Sequence, residues 1–354
     1  MKDAKRQSIG IDVAKKDFAA CFSVCDEHRN IKHLATKKFD NKLSGYKEFA
    51  TWITKWSKDD LPLSVVMEAT GVYHEQLACF LFDKGISLSV VLPKRAKDFS
   101  KTLQIKTTND KISSQYLAIM GLEKKLDLWK KPEKVYIDLK RFTREREQLM
   151  GLRTEVKNHI HAEQSGAWPN TKTLKRLKAQ LALLDKQVKE IVKDIEDVLI
   201  KNPSVKQKID KVITIPGVGV LTVATIAAET NGFNQIKNKR QLVSYAGYDV
   251  IQHTSGTSVN TKARISKRGN KHIRKAMHMP ALSAIRHNEH DKSTFIRIVT
   301  RTSIKMKGVV AIQRKLLVLI YTLWKNDTCF DPEFEENKKG QSKTALEELD
   351  LVRS

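Results

Sequence analysis

Ile9-Gly10-Ile11-Asp12-Val13 is a β-like apolar run that carries a single acid near its end. Val65-Val66-Met67-Glu68-Ala69 has the same form much further along the chain. A carboxylate in such a run is costly to bury unless it is paired or binds a metal ion. Asp12 and Glu68, each at the end of a strand, therefore predict a divalent-metal site at the edge of a sheet. Hard oxygen ligands are those that Mg²⁺ prefers.

The elements around these two runs follow from hydrophobic periodicity and turn residues. The predicted order is strands at 8–13, 18–24 and 33–39, a helix at 43–57, a strand at 63–69, a helix at 73–83 and a strand at 87–92. The first three strands are too close in sequence for helices between them, so antiparallel hairpins are expected. This is the order of a ribonuclease-H-like fold, whose catalytic acids end the first and fourth strands and lie on a late helix. Asp12, Glu68 and Asp110 fall at those positions.

A break at Pro132 separates this α/β region from a stretch rich in Lys, Glu and Leu. Its apolar residues follow alternating steps of three and four, the heptad pattern of helices that pack together. They are Leu174, Leu177, Leu181, Leu184, Val188, Ile191, Ile195 and Val198. Residues 139–160 have a rougher version of this spacing, and Gly166 and Pro169 lie between the two stretches. The pattern predicts a long coiled-coil helical hairpin or a coiled coil with another subunit, and leaves both open.

A third region begins near residue 205 and contains Ile213-Thr214-Ile215-Pro216-Gly217-Val218-Gly219-Val220. An apolar-Pro-Gly-x-Gly turn before an Ala-rich helix at 222–229 is typical of helix-hairpin-helix DNA binders. Gly217 and Gly219 would let a phosphate reach the backbone N–H groups where that helix begins. A tight turn with a helix cap is the simpler alternative, but the basic charge of the region favours phosphate contact.

Ser255 precedes Gly256 in a polar loop, a pairing that means nothing on its own. Its surroundings are strongly basic, because acids are absent from residues 254–285. The basic residues that can form one phosphate-binding face are Lys262, Arg264, Lys267, Arg268, Lys271, Arg274 and Lys275. A charge run is usually a solvated surface, but the absence of acids here favours nucleic-acid binding.

The composition also points to a polyanionic partner. The chain has 354 residues, with 65 Lys and Arg against 40 Asp and Glu, and a net charge of +25. Such a charge favours nucleic acid, because neutralising phosphates releases counterions. No run reaches the roughly 18 apolar residues of a bilayer span, and no signal peptide is seen. We therefore expect a cytoplasmic protein with no membrane partner. The cysteines, Cys21, Cys25, Cys79 and Cys329, lack zinc spacing and are expected to be reduced thiols.

Together the motifs resemble those of the DEDD transposases of insertion-sequence family one hundred and ten, relatives of the Piv-type DNA invertases. The pieces that carry the resemblance are Gly10-Ile11-Asp12-Val13-Ala14-Lys15, Met67-Glu68-Ala69-Thr70-Gly71, Lys106-Thr107-Thr108-Asn109-Asp110-Lys111-Ile112, Ile215-Pro216-Gly217-Val218-Gly219, Ala246-Gly247-Tyr248, Ser255-Gly256 and Ile265-Ser266-Lys267-Arg268-Gly269-Asn270. No single piece is decisive, but their order and spacing match over residues 8–325.

The resemblance implies a division of the chain into domains. Residues 1–132 would form the ribonuclease-H-like catalytic domain, of the Holliday-junction-resolvase type, and residues 133–203 a coiled-coil linker. Residues 204–330 would form a mostly helical C-terminal transposase domain with the helix-hairpin-helix-like element. The polar, net acidic tail at 331–354 is expected to be flexible.

The resemblance also implies a chemistry. Asp12, Glu68 and Asp110 would bind Mg²⁺, and Ser255 would attack a DNA phosphodiester as the nucleophile. The two domains would then have to meet, because a serine alcohol is a poor nucleophile until it is deprotonated or placed beside a metal. The implied partners are donor and target DNA and a structured noncoding guide RNA. We also expect a homo-oligomer, either a dimer or a tetramer.

One position departs from the family pattern. The family has a further aspartate three residues after the first in the third motif, and this chain has Ser113 there. Residues one helical turn apart can face the same metal, so Ser113 joins the three acids as a candidate ligand. A neutral hydroxyl is a weak ligand. We therefore expect weak Mg²⁺ binding and better activity with Mn²⁺, which binds such sites more tightly.

Other functions remain open from the sequence. A metal-dependent nuclease or junction resolvase would use the same acids to activate water, and Ser255 would then be replaceable. A DNA invertase would share the recombinase chemistry. A relative that binds nucleic acid without catalysis is the third alternative, and Ser113 is the residue that most favours it.

Overall fold

The computed structural model describes residues 4–107, 109–252, 254–255, 259–261 and 263–333. The chain divides into two compact units, Met1–Lys131 (unit 1) and Pro132–Ser354 (unit 2). Within the described residues, no helix is both long enough and apolar enough to cross a bilayer. Most of the predicted tail, from residue 334 onward, lies outside them.

Unit 1 is built on a five-stranded sheet. Its elements are β1 (Ala4–Val13), β2 (Asp17–Asp26), β3 (Ile31–Asp40), α1 (Leu43–Trp56), β4 (Leu63–Glu68), α2 (Glu75–Asp83), β5 (Leu88–Val91), α3 (Pro93–Thr102) and α4 (Asp110–Glu123). The strand order is β3-β2-β1-β4-β5; β1 to β3 are antiparallel, and β4 and β5 run parallel to β1. This is the ribonuclease-H-like order, so the predicted fold of the N-terminal domain is confirmed.

β1 begins earlier than its apolar run because its polar residues have buried partners. Gln7 Nε2 donates to the carbonyl of Leu61 at 2.8 Å, and Ser8 Oγ donates to that of Ser64 at 3.0 Å. Hydrogen bonds of this kind offset the cost of burying polar groups. A prediction from apolar residues alone, which starts the strand at residue 8, therefore misses residues 4–7.

The two faces of the sheet bury different residues, because successive side chains of a strand point to opposite sides. Ile9, Ile11 and Val13 lie in an aromatic-rich core with residues of α1 and α2, such as Phe49 and Leu77. The alternate residues of β1 face the other side, where α4 packs across β1, β2 and β4. Asp12 belongs to that second set.

α4 crosses β1 in backbone contact at Gly10. A Cβ atom at Gly10 would lie 2.0 Å from the carbonyl oxygen of Ser114, and one at Gly121 would lie 2.2 Å from Ser8 Oγ. These two crossings show that α4 runs antiparallel to β1. The rise of about 1.5 Å per helical residue then places the first turn of α4 over the end of β1, where Asp12 lies.

Unit 2 is mainly helical. Its elements are α5 (Lys134–Ser165), α6 (Thr171–Ile200), α7 (Pro203–Val212), α8 (Val220–Glu229), α9 (Lys239–Ala246), β6 (Val250–Ile251), β7 (Thr254–Ser255), β8 (Val259–Asn260), β9 (Arg264–Ile265), α10 (Lys271–Ala276), α11 (His278–His287), α12 (Glu289–Thr302) and α13 (Lys305–Asn326). α5 and α6 pack against each other within the chain as a long hairpin. A coiled coil with another subunit stays a prediction.

The base of this hairpin shares a core with the later helices. Leu139 of α5 and Ile195 of α6 are fully buried in one cluster with residues of α7, α8 and α13, such as Ile209 and Ile320. Toward the far end of the hairpin, the predicted heptad residue Leu174 is only half-buried. The hairpin is therefore anchored at its base. The predicted domain boundaries at 132 and 203 stay predictions.

We predict that Gly10→Ala lowers the free energy of unfolding of unit 1 by about 3 kcal/mol, because the added methyl group must push α4 away from β1. Urea denaturation followed by circular dichroism measures this loss. Gly151→Ala is the matched control, because Gly151 lies within α5 with no atom within 4 Å of its added Cβ. That change should instead stabilise the protein by roughly 0.5–1 kcal/mol. Equal effects of the two substitutions would contradict the close contact at Gly10.

Candidate active site

Asp12 and Glu68 lie side by side on the sheet. β1 and β4 are parallel, with Gly10 opposite Val66 and Ile11 opposite Met67. Asp12 and Glu68 are the next residues in this register, and both belong to the face that α4 covers. Both are half-buried. The two predicted strand-end acids are thus brought together.

The two carboxylates repel each other in a partly dry environment. Burial raises the pKa of Asp12, and the charge of Asp110 adds to this effect; the Ser113 hydroxyl and the charge of Lys38 oppose it. Burial also raises the pKa of Glu68, as does the charge of Asp12, against a hydrogen bond from Tyr116. Tyr116 Oη lies 3.4 Å from Glu68 Oε2. Desolvation and like charges are the two conditions that a bound cation relieves.

The first turn of α4 brings Asp110 and Ser113 to this pair. Asn109 caps the helix, since its side-chain oxygen accepts a hydrogen bond from the backbone N–H of Ile112 at 2.9 Å. Ser113 is buried, and its hydroxyl lies close enough to Asp12 to lower the pKa of that carboxyl. Asp110 is about half exposed, and its Oδ2 lies 2.9 Å from Lys38 Nζ. Ser113 therefore lies beside Asp12, while Asp110 is engaged by a lysine of β3.

The donor set fits a divalent cation in part. Asp12, Glu68 and Ser113 offer the hard oxygens that Mg²⁺ and Mn²⁺ prefer. Among the described residues, however, no group of three or more His, Cys, Asp or Glu side chains is arranged to hold a metal ion. One oxygen of the Asp110 carboxylate is instead paired with Lys38.

Ser255, the predicted nucleophile, lies in unit 2 in a segment that forms two antiparallel strand pairs. β6 pairs with β9, with Val250 opposite Ile265, and β7 pairs with β8, with Ser255 opposite Val259. We call the strands β6 to β9 the serine arm. Ser255 is exposed on β7, and Gly256 lies outside the described residues. The serine is thus presented to solvent.

The base of the serine arm is closed by hydrogen bonds. α9 ends at Gly247 in the left-handed conformation with φ of 75°, which lets the chain turn into β6. On the other side of the arm, Ser266 Oγ lies 2.7 Å from Asp249 Oδ1, and the N–H of Asn270 donates to the carbonyl of Tyr245 at 2.7 Å. Both ends of the arm therefore leave from one hydrogen-bonded platform.

The predicted basic residues divide into two groups. Four are exposed at or next to the arm: Arg264, Lys267, Arg268 and Lys271. Two have partners within the protein: Arg274 Nη1 donates to the carbonyl of Ala246 at 2.7 Å, and Lys275, although exposed, places its Nζ 3.2 Å from Glu147 Oε1. Lys262 lies outside the described residues. The basic segment 254–285 has no acid of its own, but in the fold Glu147 of α5 pairs with it.

The predicted phosphate-binding turn joins α7 and α8. Gly217 has φ of 81° and packs against Ser283, whose Oγ would lie 2.5 Å from an added Cβ. Gly219 is the N-cap residue of α8, with no atom within 4 Å of an added Cβ. Both glycines are exposed. The start of α8 is therefore open at Gly219, while Gly217 is held against α11.

A buried ionic network in unit 2 escaped the sequence analysis. The side chain of Glu229, fully buried at the end of α8, receives two hydrogen bonds from Arg144 of α5, at 2.6 and 2.9 Å. Asn270 Nδ2 donates a third at 2.6 Å, and Tyr245 Oη donates to the Glu229 carbonyl at 2.7 Å. The network ties α5 and α8 to the platform of the serine arm.

Two family models match the chain. Residues 9–169 match a model described as Transposase, of the DEDD type of IS110, and residues 210–296 match the model of the Transposase IS116/IS110/IS902 family. The first covers Asp12, Glu68 and Asp110, and the second covers Ser255. The chain belongs to the IS110 family of DEDD transposases.

Relatives of this transposase match it along most of its length. The pilin gene-inverting protein of Moraxella bovis is 26% identical over 332 residues, which cover 93% of this chain and 98% of that protein. The transposase for insertion sequence element IS1111A of Coxiella burnetii is 24% identical over 353 residues, or 91% and 90% of the two chains. The structure of Thermus thermophilus RuvC, 9% identical, covers 35% of this chain and 99% of its own at a TM-score of 0.28.

We predict that Glu229→Gln destabilises the transposase by about 2 kcal/mol near neutral pH, because a charge-assisted pair is lost from a buried position. Burial alone would raise the pKa of Glu229, but the hydrogen bonds from Arg144 and Asn270 hold it below the ordinary 4.5. The stabilisation is thus present above 4.5 and is lost as the pH falls through the folded-state pKa. Thermal unfolding over this pH range should show the gap between variant and native protein closing. Glu145→Gln, at an exposed neighbour on α5, should leave stability unchanged within about 0.5 kcal/mol; a gap that persists at low pH would contradict the pairing.

Proposed function

We propose that this DEDD transposase cuts and rejoins the DNA of an insertion sequence through Ser255, with a divalent metal ion held by Asp12, Glu68 and Asp110. The observation that carries the proposal is the exposure of Ser255 on an arm flanked by four exposed basic residues. An exposed hydroxyl can reach a phosphodiester, and the basic side chains can hold the strand on either side of it.

In the proposed step, Ser255 Oγ attacks the phosphorus atom of a DNA phosphodiester. A bond forms between serine and phosphorus while the bond from phosphorus to the 3′ oxygen breaks. The serine gives up its proton and the departing 3′ oxygen takes one up, so the step conserves protons overall. Rejoining is the reverse reaction with a new 3′ hydroxyl. Because the phosphoserine link retains the phosphodiester energy, no nucleotide cofactor is consumed.

The carboxylate site supports this chemistry through charge. A bound divalent cation stabilises negative charge on the phosphate and lowers the pKa of a hydroxyl that it contacts. Asp12 and Glu68, brought together by β1 and β4, would hold the cation together with Asp110, and the Ser113 hydroxyl would be a fourth, weaker ligand. Membership in a DEDD family implies dependence on a divalent metal ion. Mg²⁺ is proposed as the ion, with Mn²⁺ as a substitute.

We further propose DNA and a structured noncoding RNA as the nucleic-acid partners. The net charge of +25 supports a polyanionic partner. Arg264, Lys267, Arg268 and Lys271 form the proposed phosphate-contacting group, with Lys262 beside them in sequence and the open start of α8 at Gly219 as a second contact. A dimer or tetramer would bring together the strands that are to be exchanged.

A second candidate is a metal-dependent nuclease or junction resolvase. The pairing of Asp12 and Glu68 favours it as much as it favours the recombinase, because two carboxylates with a bound cation can activate water. The role of Ser255 separates the two. Gene inversion, the reaction named for the Moraxella bovis relative, would use the same serine chemistry on a different arrangement of sites.

We predict that Ser255→Ala abolishes the covalent protein–DNA adduct and lowers strand exchange on the order of a thousandfold or more, because the nucleophile is removed. Denaturing gels with labelled DNA measure the adduct, and a filter-binding assay should show unchanged affinity. Thr254→Ala is the control, because Thr254 is an exposed hydroxyl on the same strand whose side chain points to the opposite face. Recombination by Ser255→Ala at the native rate would favour the nuclease instead.

We also predict that Ser113→Asp makes the protein less stable without metal and more responsive to it. A new carboxylate beside Asp12, in a buried position, should cost about 2 kcal/mol of stability. Mn²⁺ or Mg²⁺ at a hundredfold excess over its dissociation constant should restore about 2.7 kcal/mol, and the Tm should rise more than in the native protein. If the metal shifts both Tm values equally, residue 113 is not a ligand.

A further inference from the structure

Lys38 pairs with one of the candidate metal-binding acids of unit 1. Its Nζ lies 2.9 Å from Asp110 Oδ2 and 3.3 Å from Asp17 Oδ1, and its charge also acts on Asp12. The lysine extends from β3, two strands away from β1, and its side chain is about half exposed. The flexible side chain of Lys38 thus pairs with Asp110, the acid that would join Asp12 and Glu68 in the proposed metal site.

Lys38 borders an open cleft of about 390 Å³ in which lysines outnumber acids. The other residues that line it are Ala19, Thr36, Lys37, Asn109, Asp110 and Lys111. The adjacent lysine, Lys37, is engaged elsewhere, since its Nζ lies 2.7 Å from Glu48 Oε1 of α1. Successive residues of a strand point to opposite faces, so of the two neighbours only Lys38 faces the acids.

We propose that Lys38 couples metal binding to DNA binding: it holds Asp110 in the free protein and releases it when a DNA phosphate in the adjacent cleft takes over the lysine. The inference rests on the proposed metal site. While Lys38 is paired with Asp110, one oxygen of that carboxylate is engaged and the positive charge of the lysine repels an incoming cation. A phosphate oxygen is an equally good partner for an ammonium group.

This arrangement has a thermodynamic consequence. If DNA removes Lys38 from Asp110, DNA must tighten metal binding, and by linkage the metal must tighten DNA binding by the same factor. Lys38 is then a positioning residue that keeps the free protein from assembling its metal site away from DNA. Its removal should free the metal site and weaken the coupling, two changes that a purely structural lysine would not produce together.

The test measures Mn²⁺ binding to the full-length protein by isothermal titration calorimetry, with and without a short synthetic DNA duplex at low salt. Asp12→Asn reports any Mn²⁺ bound elsewhere. For Lys38→Met we expect the Mn²⁺ dissociation constant without DNA to fall on the order of tenfold, as expected from removing a nearby like charge. DNA should tighten Mn²⁺ binding by about fivefold or more in the native protein, and by clearly less in Lys38→Met.

Lys5→Met is the control, because it removes the same charge from an exposed lysine near the start of β1, paired with Glu27 at 4.0 Å and outside the cleft. It should bind Mn²⁺ and respond to DNA as the native protein does. If Lys38→Met and Lys5→Met have the same Mn²⁺ affinity, or if native binding does not respond to DNA, the role of Lys38 is wrong while the metal site stands. If native protein and Asp12→Asn bind Mn²⁺ identically, the metal site itself is wrong, and the role of Lys38 with it.

Discussion

The backbone contact between α4 and β1 at Gly10 is the constraint on which the carboxylate site depends. A helix normally packs on a sheet through side chains, but here the carbonyl of Ser114 lies where a Cβ of residue 10 would be. The absence of side chains at Gly10 and Gly121 lowers α4 onto β1 and β4. That approach brings the first helical turn, with Asp110 and Ser113, to the same place as the strand ends. The glycine in the opening motif is thus as important to the site as the acid that follows it.

The buried acids of the two units have opposite environments, and their pKa values shift in opposite directions. In unit 2, Glu229 has a bidentate arginine and an asparagine, and its pKa falls. In unit 1, Asp12 and Glu68 are desolvated beside each other, and their pKa values rise. An acid with a full set of partners stabilises a fold, whereas acids left short of partners are typical of sites that bind something else. The contrast separates an ionic network that stabilises the fold from a pair of acids that form a candidate binding site.

Sequence patterns predicted the fold of unit 1 and the positions of its strand-end acids because both depend on local features. Short apolar runs located the strands of unit 1, and the short hairpin connections determined the antiparallel order of the first three. Lys38 could not be predicted, because its role depends on which face of β3 it occupies and on its reach across β2. The Arg144–Glu229–Asn270 network joins residues far apart in sequence, and a buried Glu at the end of an Ala-rich helix resembles any solvent-facing one. The ion pair between Lys275 and Glu147 could not be predicted either, because it joins a segment without acids to a distant helix.

The proposed nucleophile and the candidate metal-binding acids differ in how firmly the protein holds them. Asp12 and Glu68 belong to strands within a sheet that is covered by helices, whereas Ser255 lies on β7, which among the described residues pairs with β8 alone. A two-stranded ribbon contributes little stability by itself. Its base is firm, because the platform of Tyr245, Asp249, Ser266 and Asn270 is tied to Glu229. The base of the arm is therefore held by hydrogen bonds, whereas the pairing of β7 with β8 adds little support. We expect nucleic acid bound along the basic residues of the arm to set the final position of Ser255. In the proposed mechanism, the fold positions the acids in advance, while the substrate would complete the placement of Ser255.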